Sequence, residues 1–164
     1  MCLVLRTSFF TMNGCRKKRL DPLWKELKKY GKATVWKVLY FNKKLNTFET
    51  PFYNKIVKPG PLISDRKIEN FNKLTPIEKI SRSVYKGIHV YTTRKFAEWN
   101  VELDAAEILK TDDALVVVPA IAYKKDLVAM GMEYEGGQMA VFYQISISEK
   151  DLNDAKLKFL TKNE

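Results

Sequence analysis

With 164 residues, 46% of them apolar and 12% aromatic, the chain has enough material to bury about two-thirds of its unfolded surface in one domain spanning 1–164, which excludes disorder for most of its length and any need for a disulfide or metal staple. Two cysteines, Cys2 and Cys15, are too few for a secreted disulfide framework, and no apolar run approaches the ~20 residues that cross a bilayer, so no membrane partner is expected. The net charge is +10 but unevenly spread: residues 1–97 hold 22 Lys/Arg against 6 Asp/Glu, and residues 98–164 hold 7 against 13. Such polarity predicts a directed contact with a polyanion or an acidic protein surface, and equally permits head-to-tail self-association.

In chain order, residues 3–11 alternate weakly as a first strand, and Asn13-Gly14 is a turn signal. The basic run Arg16-Lys17-Lys18-Arg19 follows. Asp21 is placed as an N-cap with Pro22 at the first helical position, and Gly31 as the left-handed stop. Between them Leu23, Leu27 and Tyr30 share one face, with Trp24 beside it. Ala33 to Phe41 is β-branched and aromatic and reads as a buried strand; Asn42 to Asn46 turns it, and Thr47 to Ile56 returns as a partner that Pro51 places at an edge. Lys58-Pro59-Gly60-Pro61 breaks the chain.

Residues 62–83 are polar, with one helix start at Thr75-Pro76-Ile77-Glu78. Gly87 to Tyr91 is a short strand, after which Thr92 or Thr93 caps a helix carrying Phe96, Ala97 and Trp99 to a core. Ala114 to Ala122 is a third apolar strand. Gly131 and Gly136-Gly137 bracket a turn, Gln138 to Ser146 is one long strand, and Ser148 with Asp151 starts a last helix facing the core through Leu152, Ala155 and Phe159. These elements predict an α+β domain with an antiparallel or mixed sheet of about five strands and three or four short helices.

No glycine-rich phosphate loop and no G-x-S-x-G elbow occurs, and the cysteines and single histidine match no zinc spacing, so neither cofactor nor metal is expected. Three residues retain catalytic potential. Removal of Met1 would expose Cys2, whose α-amine could activate its own thiol. His89 and Tyr91 alternate onto one face of their strand, where His89 could act as acid or base in a small hydrolase or transferase. The alternative without catalysis rests on Arg16, Lys17, Lys18, Arg19, Lys25, Lys28 and Lys29. Interleaved with Trp24, Tyr30 and Trp36, they supply phosphate contacts and aromatic faces, although the helical stripe predicts Trp24 and Tyr30 as core. The run at 16–19 also resembles a nuclear-import signal.

The opening Cys2 with Arg19-Leu20-Asp21 resembles the start of choloylglycine-type hydrolases over the first two dozen residues only, in a chain too short for their four-layer fold. A His and a Tyr on sheet strands also resemble ADP-ribosyl-transfer folds, which place them on separate strands and add a glutamate that has no counterpart here. A broader likeness runs through Met1-Cys2-Leu3, Val35-Trp36-Lys37-Val38-Leu39, Thr50-Pro51-Phe52, Gly87-Ile88-His89-Val90-Tyr91 and Val116-Val117-Val118-Pro119. In that order these resemble small uncharacterised proteins of phages, large DNA viruses and some bacteria. The likeness departs at Pro119-Ala120-Ile121, where those proteins show Ile-Pro-Lys-Gly, and from Leu62 to Ser83. It implies a viral or mobile-element origin, hence a host cytoplasm, nucleus or virion, and carries over no established activity. The expectation is a non-enzymatic basic interaction protein, with the Cys2 or His89/Tyr91 enzyme as the alternative.

Overall fold

The apolar run from Ala33 becomes the axis of the molecule. In the computed structural model, which describes residues 14–51, 55–64, 87–108, 114–132 and 138–162, it forms β1 (Lys32–Asn42). β1 pairs along its whole length with β6 (Ala114–Tyr123), from Lys32↔Tyr123 to Phe41↔Ala114. Its other edge is therefore shared by two shorter strands: β5 (Ile88–Tyr91), which meets it at Trp36, and β2 (Thr47–Glu49), which meets it at Tyr40 to Asn42. The hairpin turn is fixed by Asn42 Oδ1, which accepts from the Leu45 N–H at 2.9 Å. β2 is shorter than expected and pairs with a two-residue β3 (Ile56–Val57).

The remaining strands are β4 (Gly60–Ile63), β7 (Leu127–Met132), β8 (Gln138–Phe142) and β9 (Gln144–Ile147). All pairings are antiparallel, in the order β4-β9-β6-β1-β5-β8-β7, with β2 and β3 branching from β1. Among the described residues the sheet thus has nine strands rather than about five. The break expected at Gly60-Pro61 is instead an edge strand, a position where the missing N–H of a proline costs no ladder bond. Gly131, expected in a turn, lies in β7.

The single long strand expected from 138 is two strands, parted at Tyr143. β8 and β9 stand four places apart in the sheet, about 19 Å if the sheet were flat. The two Cα steps through Tyr143 span only about 7.6 Å. The sheet must therefore curl, and Tyr143 holds both of its ends. Its N–H donates to Asp126 O, just before β7, at 2.7 Å, and its carbonyl accepts from the Ser64 N–H, just after β4, at 3.0 Å.

Strand alternation then divides the side chains between two cores. Ala33, Val35, Leu39 and Phe41 of β1 point inside the curl with Val116, Val118, Ala120 and Ala122 of β6 and Ile88 and Val90 of β5. Two helices add to this interior. α1 (Gly14–Tyr30) contributes Leu23 and Leu27, and α3 (Glu149–Lys162) contributes Leu152, Ala155 and Phe159, whose ring meets Phe41 edge-on at 5.7 Å. Ser148 caps α3 as expected, its Oγ accepting from the Asp151 N–H at 3.1 Å. On the outer face Val38, Tyr91, Met139 and Val141 are covered by α2 (Arg94–Ile108) through Ala97 and Phe96. Thr93 caps α2, accepting from the Phe96 N–H at 3.4 Å.

Four expectations change. α1 begins at Gly14, so Asp21 is not its N-cap and Pro22 lies within it; the helix-favouring Arg16 to Leu20 carries the helix back past the proline. The stop holds: Gly31 takes φ +71° and its N–H reaches Leu27 O at 3.0 Å. Tyr30, placed on the core face by helical spacing, is 60% exposed because the chain turns into β1 one residue later. Trp99 is exposed rather than core. The strand expected at 3–11, the helix start at Thr75 and the Gly136-Gly137 turn fall outside the described residues.

The junction can be tested directly. The Tyr143 side chain is exposed, so Tyr143→Ala is expected to move stability in urea by no more than about 0.5 kcal/mol. Tyr143→Pro deletes the N–H that reaches Asp126 and is expected to cost about 2–3 kcal/mol. Equal effects of the two would show that the side chain, not the backbone, holds the sheet ends.

Candidate nucleic-acid interface

The C-terminal turn of α1, the start of β1 and the end of β6 meet at one corner. β1 and β6 bring Lys32 opposite Tyr123 and Thr34 opposite Ile121. Past Tyr123 the chain makes a 3-10 turn, Lys124–Asp126, and the Lys124 N–H donates to Gly31 O at 2.9 Å. That bond clamps the end of α1 to the end of β6, although the two are about ninety residues apart in the chain.

Cations and aromatic rings interleave there. The Lys28 and Lys124 ammonium groups, one from each segment, both lie 5.7 Å from the Trp24 ring centroid, and Lys29 lies 4.8 Å from that of Tyr30. Lys28 and Lys29 also complement the negative end of the α1 dipole. Lys25, Lys32 and Lys125, on the same three segments, are also exposed, as is the Glu26 carboxylate on this part of α1. Arg16, Lys17, Lys18 and Arg19 lie in the first turns of the same helix. Trp24 is half-buried against the inner core. Sequence reasoning found Lys25, Lys28 and Lys29 but missed Lys32, Lys124 and Lys125, which only the β1–β6 register brings to them.

Cys2 lies outside the described residues. His89 and Tyr91 do alternate away from Ile88 and Val90, which enter the inner core, but Tyr91 is buried in the outer core beside Val38 and Ala97. Among the described residues no group of three His, Cys, Asp or Glu side chains could hold a metal ion. A groove of about 640 Å³ runs between α2, β6 and α3 over Trp36 and Val117. Its walls carry Glu98, Glu102, Asp151 and Asp154 against Arg94 and Lys158, and Arg94 is paired with Glu98 at 2.6 Å. Along β6 this acidic groove and the basic corner are about 13 Å apart, from Pro119 to Tyr123.

Comparison of the chain with known protein families, curated proteins and solved structures finds no match.

One functional-looking side chain escaped the sequence reading. Lys37 sits on β1 between Val35 and Leu39, so alternation points it inward, opposite Val118. It is 9% exposed, and burial lowers its pKa from 10.5 to about 8. Its position explains its partner. β5 and β2 leave residues 37–39 of β1 unpaired on that edge, and Lys37 Nζ donates to the His89 carbonyl across the opening at 3.0 Å. The charge in an inward position of an apolar strand was the available signal.

This lysine sets a pH dependence. The folded chain releases the Lys37 proton near pH 8 and the unfolded chain near 10.5, so between these values the unfolded state binds more protons and stability rises with pH. Below pH 8 the cost of burying the ammonium is fully present. Lys37→Met is expected to be more stable than the parent at pH 7 by about 1–3 kcal/mol, with the gap closing by about pH 10.5. Urea midpoints of both proteins across this range check it, and a gap that stays constant with pH would remove titration of Lys37 as the cause.

Proposed function

We propose that this chain is a non-enzymatic interaction protein that binds nucleic acid through the basic corner formed by α1, the start of β1 and the end of β6. The observation that carries this reading is the convergence of Lys28 and Lys124, from two distant segments of chain, on the Trp24 ring, with Lys29 over Tyr30 beside them and Lys32 opposite Tyr123 in the β1–β6 register. A solubilising charge distribution has no need to cluster in this way. Lysines here neutralise phosphates and release their counterions.

Binding that neutralises about four phosphates of a duplex weakens about 150-fold between 50 and 200 mM salt. The expected result is that slope for the parent, and loss of most of the affinity in Lys28→Glu/Lys29→Glu/Lys124→Glu/Lys125→Glu. Lys43→Glu/Lys44→Glu, on the exposed turn at the far end of β1, serves as the control and is expected to retain affinity within roughly threefold. Equal losses in the two variants would defeat the assignment of this corner. Binding of polyglutamate as tight as that of nucleic acid would transfer the reading to an acidic protein surface.

The acidic groove favours a second reading, head-to-tail self-association, in which the corner of one copy meets the groove of the next. Sedimentation at 20 mM salt is expected to show concentration-dependent assembly that nucleic acid competes away.

A further inference from the structure

The outer face of the β1–β6 pair is covered at one end and bare at the other. Cover begins where β5 ends. Tyr91 is opposite Trp36, the chain turns through Thr92 and Thr93, and α2 starts with Arg94 lying 5.8 Å from the Trp36 ring centroid. From there α2 runs back over Leu115 and Val117, away from the end that carries Lys32. The outward residues beyond Trp36 are thus left in solvent: Lys32 and Thr34 on β1, Ile121 and Tyr123 on β6. Ile121 is 36% and Tyr123 38% exposed; Tyr30, the last residue of α1 and exposed, precedes the Gly31 whose carbonyl Lys124 bonds at the rim of this face.

We propose that the nucleic acid bound at the corner is single-stranded, with unpaired bases stacking on Tyr123 and Tyr30 while the surrounding lysines hold the phosphates. This rests on the nucleic-acid reading above and narrows it. A duplex presents phosphates and groove edges but buries the faces of its bases, so exposed rings add nothing to binding it. A single strand offers both phosphates and π faces, and Tyr123 beside Lys32 on the open sheet face, next to the cations at the end of α1, matches both. Ile121, two residues from Tyr123 on the same face, continues the platform along β6 at about 6.6 Å. Lys32 shares this outer face opposite Tyr123, and at the rim the bond from the Lys124 N–H to Gly31 O holds the end of α1, whose Lys28 and Lys29 lie over Trp24 and Tyr30 on the inner side of the sheet.

The test compares fluorescein-labelled (dT)12 with a 12-base-pair duplex by anisotropy, on the full chain at one fixed salt concentration. (dT)12 is expected to bind at least roughly tenfold tighter than the duplex. Tyr123→Ala and Tyr30→Ala are each expected to weaken (dT)12 by roughly 5- to 100-fold, to change duplex binding less than about twofold, and to leave the salt slope unaltered. Tyr123→Phe keeps the ring and is expected to restore (dT)12 binding, which separates stacking from loss of the hydroxyl or of folding. Duplex binding as tight as (dT)12, or Tyr123→Ala and Tyr30→Ala both without effect, overturns the single-strand proposal and leaves the lysine interface standing. Binding of neither oligonucleotide overturns both.

Discussion

One residue joins two strands that belong to opposite sides of the sheet, and the shape of the protein follows from it. Tyr143 passes the chain from β8 to β9 and fastens β7 and β4 through its own N–H and carbonyl, so the sheet has to curl around an interior. Side-chain size follows the curl. Along the inward face of β1 the residues run Ala33, Val35, Lys37, Leu39, Phe41, growing from the α1 end to the α3 end. Ala120 and Ala122 oppose the small end, which leaves room for Leu23 and Leu27 of α1, whereas Phe41 at the large end reaches Phe48 and Phe159. Packing of this kind fixes where α1 ends, and hence where its lysines stand.

The curl also has a cost. Two strands share one edge of β1 and do not meet, and the protein fills the opening with a lysine in the inner core. A buried ammonium loses its hydration, and one carbonyl bond to His89 replaces only part of it. Pro119 shows the same economy on the other edge. β9 joins β6 only at Ile121 and Ala122, so a proline at 119 stands where its absent N–H leaves no strand partner short among the described residues.

What the sequence made legible depended on whether a residue's role was local. The strands at 33–41, 87–91 and 114–122 and the Gly31 stop carry their signals within a few residues, and they stand where expected. Tyr143 carries no turn signal, because what breaks the strand there is a pair of bonds to segments some seventeen and eighty residues away. Pro22 was a sound local start signal that the helix-forming run before it overrode. Tyr30 satisfied the spacing of a core face but lies at the last position before the chain turns, where no partner surface remains. The site was half legible for the same reason: lysines crowded on one helix can be read, and Lys124 joining them through a strand register cannot.

The boundary of the exposed sheet face is a consequence of register. β5 runs antiparallel to β1 and ends opposite Trp36, so the helix that follows must enter at that level and return the way β5 came. Arg94 marks the limit, its guanidinium against Trp36 and its charge engaged by Glu98. Everything outward of Trp36 on β1 and of Pro119 on β6 is then beyond the reach of α2, whatever residues stand there. The chain places Lys32, Ile121 and Tyr123 at those positions, and Gly31 and Lys124 clamp the basic end of α1 beside them. The +10 excess therefore takes on a geometry: a positive, aromatic corner at one end of β6, and a carboxylate-lined groove at the other.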